Sequence, residues 1–198
     1  MKQTVLTFLT SLFVNCVSGQ TTFSNVDINL KTVQSDSLTD LICSNATFSI
    51  KFQLKQKSIQ LQNNFALIDS QLVQITPLKI SGYKKSLSTL NTSEQKQLLD
   101  DYSGYELDFF KKQLNIEIVK PNNQWVITKS KGWLVWYFRV GNLQAPVDKK
   151  TEIQLFASTI VSGKVLTINA PILSDGNFTK AALIVNEMME SFTNNTKK

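Results

Sequence analysis

From Trp133 to Phe138 the chain reads Trp-Leu-Val-Trp-Tyr-Phe, large and apolar at every position. Strand side chains alternate between two faces, so a strand without polar alternation is one covered on both sides. A sheet buried in this way needs one layer above it and one below. Two amphipathic segments can supply those layers. Leu98, Tyr102, Tyr105 and Phe109 recur at helical spacing, with Asp100, Asp101, Glu106 and Lys112 on the wet face. Thr92 and Gln95 before them have capping-box spacing. Near the end, Phe178, Ala182, Val185, Met189 and Phe192 step along one face, opposite Lys180, Asn186, Glu187 and Glu190. The expected fold class is α+β, an antiparallel β-sheet flanked by two long α-helices.

Other strands show by their period. Phe48, Ile50, Phe52 and Leu54 alternate with polar residues, whereas the next apolar positions, Ile59 and Leu61, fall on odd numbers. That change of phase turns every side chain to the other face, so a turn or bulge is expected near Gln56-Lys57. Phe65–Ile68 is a further short strand. Ile116–Lys120 is expected to pass through a turn at Pro121-Asn122-Asn123 into Gln124–Lys129, followed by the strand from Trp133 to Val140. A loop from Gly141 to Lys150 leads to a hairpin of Glu152–Val161 and Val165–Asn169, turning at Ser162-Gly163. With no linker composition and no internal repeat, residues 20–198 read as a single α+β domain.

The order of strands, long helix, four-strand meander and closing helix resembles the PsbP-like fold, a group of photosystem II accessory proteins and exported bacterial proteins. The resemblance rests on the hairpin Gln124-Trp125-Val126-Ile127, the aromatic strand Trp133–Arg139, the Gly163-Lys164 turn before Val165-Leu166-Thr167-Ile168, and the closing helix ending Met188-Met189-Glu190-Ser191-Phe192. It covers residues 88 to 194. It implies an α/β/α sandwich that works as a non-catalytic accessory or binding module.

The N-terminus has Lys2, an apolar stretch from Val5 to Val14 and the small residues Ser18-Gly19 before Gln20, the pattern of a secretory signal peptide over residues 1–19. This terminus resembles the leaders of secreted Bacteroidetes proteins. Cleavage at Gly19 gives a periplasmic or secreted chain, whereas acylation at Cys16 gives a lipoprotein anchored through that residue. Cleavage at Gly19 leaves Cys43 as a lone thiol in an apolar run, expected to be buried and inert. Sequons occur at Asn45, Asn91, Asn177 and Asn194, about as many as chance provides in a chain this rich in Asn, Ser and Thr.

The 198 residues contain no His. Histidine-based triads, His metal ligands and imidazole general bases are thereby excluded. No cofactor or metal motif is present, and Ser81-Gly82-Tyr83-Lys84 lacks the partner elements of the serine acyl-transferases whose spacing it shares. Glu106, Asp108, Glu117 and Glu152 leave a carboxylate-based hydrolase as an alternative, though their spacing selects no pair. The net charge is +6, but Arg139 is the one arginine among 21 cationic residues, an unsuitable balance for nucleic acid. Lys51 and Lys55, on the outward face of a strand, add weak attraction to an anionic envelope surface.

Arg139 is the polar intruder in the aromatic strand, placed either to grip a partner's carboxylate or to pair with a carboxylate such as Glu152. Trp133, Trp136 and Tyr137 either line a groove beside it or fill the core. These four residues are the candidate partner-binding set. The expected function is that of an exported, non-enzymatic domain acting on an unidentified protein partner or at the envelope. An immunity or inhibitor protein is the alternative within the same class.

Overall fold

The strand that begins at Gly132 has both faces buried, and the architecture is arranged around it. The computed structural model describes residues 21–55, 57–128, 131–141 and 151–194. The expected leader over residues 1–19, Cys16 and nearly all of the expected Gly141–Lys150 loop lie outside the described residues. The chain forms β1 (Thr22–Asn25), β2 (Asn29–Gln34), β3 (Leu38–Ser44), β4 (Ser49–Lys55), β5 (Ile59–Gln62), β6 (Phe65–Ile68) and β7 (Gln71–Ser81). After a short 3-10 turn at Leu87–Thr89 come α1 (Thr92–Lys112), β8 (Ile118–Ile127), β9 (Gly132–Val140), β10 (Thr151–Val161), β11 (Lys164–Leu173), α2 (Phe178–Ser191) and β12 (Thr193–Asn194). The fold is mixed α+β with antiparallel sheets and two helices.

The large sheet has the order β5-β6-β7-β11-β10-β9-β8, with β1 also paired to β7. The odd positions of β9 and β10, such as Trp133, Leu155 and Ala157, join Leu166 and Ile168 of β11 in a core closed by α2. Leu134, Trp136, Phe138 and Phe156 point the other way and meet Leu98, Leu99, Tyr102 and Phe110 of α1. On that side Trp136 stacks on Phe156 with ring centroids 3.8 Å apart.

Alongside the large sheet is a second, four-stranded sheet, β12-β4-β3-β2. Its inner residues Leu41, Cys43, Ile50, Phe52 and Leu54 share the α2 core. The phase change after Leu54 therefore marks the passage of the chain from one sheet to the other. The helices are also unequal, with 21 residues in α1 and 14 in α2. The expected turn at Pro121-Asn122-Asn123 is a β-bulge within β8. The α1 cap is Asn91 with Glu94, whose side chains and backbone N–H groups bond reciprocally at 3.0 and 3.1 Å. Phe110, not Phe109, is the buried ring at the C-terminal end of α1, and Glu106 is buried instead of solvated. The buried stripe of α2 is Ala181, Ile184, Val185, Met188 and Met189, leaving Phe178 partly exposed.

Helix α2 also closes the open edge of β4. β12 pairs with Ile50 and Lys51 only. Beyond that pairing, the Gln53 N–H donates to Ser191 Oγ at 3.2 Å and the Lys55 N–H to Glu187 Oε1 at 2.6 Å. Lys131 caps the same C-terminal end of α2, donating to the Glu190 carbonyl at 2.9 Å with its ammonium 4.0 Å from the Phe192 ring centroid. At the β10–β11 hairpin, Ser162 and Gly163 both have positive φ, +51° and +68°, as a tight turn matched to strand twist requires.

Replacing Asn91 with Ala removes the α1 cap and is expected to lower unfolding free energy by about 1 kcal/mol, read from urea denaturation with an unchanged m-value. Burial pushes the Cys43 thiol up to about 12. The native protein is therefore expected to resist thiol labelling at pH 8 and to react fully once unfolded.

Candidate functional site

At the N-terminal end of α2, the sheet face that carries Tyr137, Arg139 and Ile153 opens into a groove of about 440 Å³. Its outer wall is Lys120 and Asn122 of β8, and its floor at the helix is the Phe178 ring. The bulge between Val119 and Asn122 shapes that wall, since Lys120 sits in the left-handed region with φ +50°. A bulge of this kind re-aims a side chain that regular alternation would place elsewhere. Asn122 Nδ2 donates to the Tyr137 hydroxyl at 3.2 Å, and the Tyr137 and Phe178 rings meet edge to face at 5.3 Å.

Arg139 pairs with Glu152 through one guanidinium nitrogen, as its sequence position suggested. The side chains are 50% and 46% exposed, so water screens the pair. A guanidinium carries five N–H donors, and among the described residues the contact shown uses one of its nitrogens, on Glu152. Lys120 supplies a second, exposed cation at the opposite wall.

The four sequence candidates separate. Tyr137 and Arg139 line the groove. Trp133 is wholly buried on the α2 side and Trp136 is buried on the α1 side, so neither reaches it. Lys120, Asn122, Ile153 and Phe178 escape sequence reasoning because the groove runs across strands and joins residues far apart in the chain. The one local signal was the Lys-Pro step at 120–121, which reads as a turn.

The candidate carboxylates are dispersed. Glu106 is buried beneath α1, Asp108 pairs with Lys112 at 2.9 Å, and Glu152 pairs with Arg139. Neither these three nor Glu117 lines either of the two main hollows. The other hollow, about 490 Å³ beside Ser162 and Gly163, is somewhat larger but has no charged residue in its lining. For that reason the smaller groove is the stronger candidate. Lys51 is paired with Asp40 at 3.2 Å, which weakens the case for it as an envelope contact. Among the described residues no group of three His, Cys, Asp or Glu is placed to hold a metal ion. No helix among them is long and apolar enough to cross a membrane.

No family model, no curated protein and no solved structure matches this chain.

Because the Arg139–Glu152 pair is half exposed, Arg139→Ala is expected to change unfolding free energy by less than about 1 kcal/mol in urea denaturation. A larger loss would make Arg139 a structural residue.

Proposed function

We propose that this chain is an exported, non-catalytic binding domain that holds a partner protein by an acidic segment seated in the groove. One observation supports the reading above others: the groove combines Lys120 and Arg139 with the rings of Tyr137 and Phe178, and no carboxylate is among its lining residues. The planar guanidinium fork matches a carboxylate, and the flanking rings offer apolar contact to the neighbouring residues of the segment. The basic net charge, +6 over the full sequence and one less without Lys2 of the expected leader, adds longer-range attraction that speeds encounter with an acidic partner. An inhibitor or immunity role would use the same surface. The carboxylate-hydrolase alternative gains no support, because none of its four candidate residues lines either hollow.

The test is titration of the protein with synthetic Asp/Glu-rich peptides containing one aromatic residue, followed by backbone NMR. Shifts are expected to cluster at Asn122, Tyr137, Arg139 and Phe178, to weaken as salt is raised, and to vanish in a Lys120→Glu/Arg139→Glu double variant. Shifts confined to another surface, or none at millimolar peptide, would overturn the reading.

A further inference from the structure

Between α1 and the sheet lies a buried polar chain that the binding function does not use. On α1, Tyr102 and Glu106 are one turn apart and only 3% and 5% exposed. The Tyr102 hydroxyl is hydrogen-bonded to the Glu106 carboxyl and to Thr167 of β11. Thr167 Oγ1 lies 3.1 Å from Ser158 Oγ of β10, which accepts from Trp136 Nε1 of β9 at 3.4 Å. A carboxyl group thus sits at the head of a hydrogen-bonded series that runs from the helix across three strands. Buried charges are ordinarily paired. Among the described residues no cation faces the group. Arg139 projects from the other side of β9 toward Glu152, Lys164 of β11 lies over the Phe48 ring in the α2 core, and Lys120 of β8 is exposed at its bulge. β1 carries no charged side chain, Lys79 of β7 is exposed, and on α1 Lys96 and Lys112 pair with Asp100 and Asp108.

We propose that Glu106 is a proton-operated latch: as a neutral acid it seats α1 on the β9–β10–β11 face, and loss of its proton loosens α1 while leaving α2 in place. Burial pushes the Glu106 carboxyl from the ordinary 4.5 up to about 7, against the opposing pull of the Tyr102 hydrogen bond. A carboxyl raised in the folded state holds a proton there that the unfolded chain has already released. The stabilisation is therefore complete below pH 4.5 and is lost as pH rises through about 7. The missing histidine sharpens this reading. With no imidazole in the chain, Glu106 is the only described side chain with a shift resolved into the pH 5–8 window.

The experiment is urea denaturation of the full chain between pH 5 and 8, for the native sequence and for Glu106→Gln, which stays neutral. The native folding equilibrium constant is expected to fall on the order of ten- to a hundredfold across that range, and the variant's to stay within about twofold. Carbon-13 NMR of the native protein's Glu carboxyls decides the matter independently if the variant does not fold. One carboxyl titrating near pH 7 supports the latch. A flat native profile, an equal slope in the variant, or every Glu titrating below pH 5 overturns it.

Discussion

The constraint on which the rest depends is the burial of β9, β10 and β11 on both faces. Each of these strands sends successive side chains to two different cores, one closed by α1 and the other by α2 with the four-stranded sheet. Neither cover can be removed without exposing a row of large apolar side chains, at roughly 25 cal/mol per Å² of apolar surface. The two faces are nevertheless chemically different. The α2 side is almost purely apolar, whereas the α1 side mixes an aromatic floor of Trp136, Phe138 and Phe156 with Gln154, Ser158, Thr167 and Asn169. The Asn169 amide donates to Gln154 Oε1 at 2.9 Å, so this polar row is partly satisfied within the sheet and partly by the helix above it.

The edge strand β8 shows how one feature can serve two ends. An exposed edge invites pairing with another chain, and Lys120, Pro121 and the adjacent bulge are ordinary means of preventing it. The same bulge turns Lys120 into the wall of a groove whose base is Tyr137 and Arg139 of the neighbouring strand. Edge protection alone accounts for a lysine, a proline and a bulge. It does not account for the Phe178 ring at the head of α2, which is partly exposed and set against Tyr137.

The aromatic run of β9, the alternation in β4 and the Ser162-Gly163 hairpin were legible because each is a local pattern with a single physical meaning. Strand β7 was hidden by Pro77, a residue that argues against a paired strand. It is tolerated because β6 pairs with Gln71–Gln74 and β1 with Leu78–Ser81, leaving Pro77 at a gap where only its carbonyl is used, by the Val26 N–H. The small sheet was hidden because β2 is exposed along nearly its whole length and carries no alternation of apolar and polar residues. Glu106 was misread because an acid on an amphipathic helix is assigned to water by its chemistry, and only the tertiary contacts of Tyr102 and Thr167 show otherwise. The three described sequons at Asn45, Asn91 and Asn177 have structural uses that no motif would reveal. Asn45 closes a turn by accepting from the Thr47 and Phe48 N–H groups, and the other two cap α1 and α2.

On the proposed latch, the two faces of one sheet are closed independently, and only the α1 closure depends on a proton. Native-state hydrogen exchange at pH 5 and pH 8, corrected for intrinsic exchange rates, tests it most directly. Amides of α1 are expected to lose protection at pH 8 while those of α2, β10 and β11 keep theirs. Equal loss in both helices, or unchanged protection in α1, would contradict it.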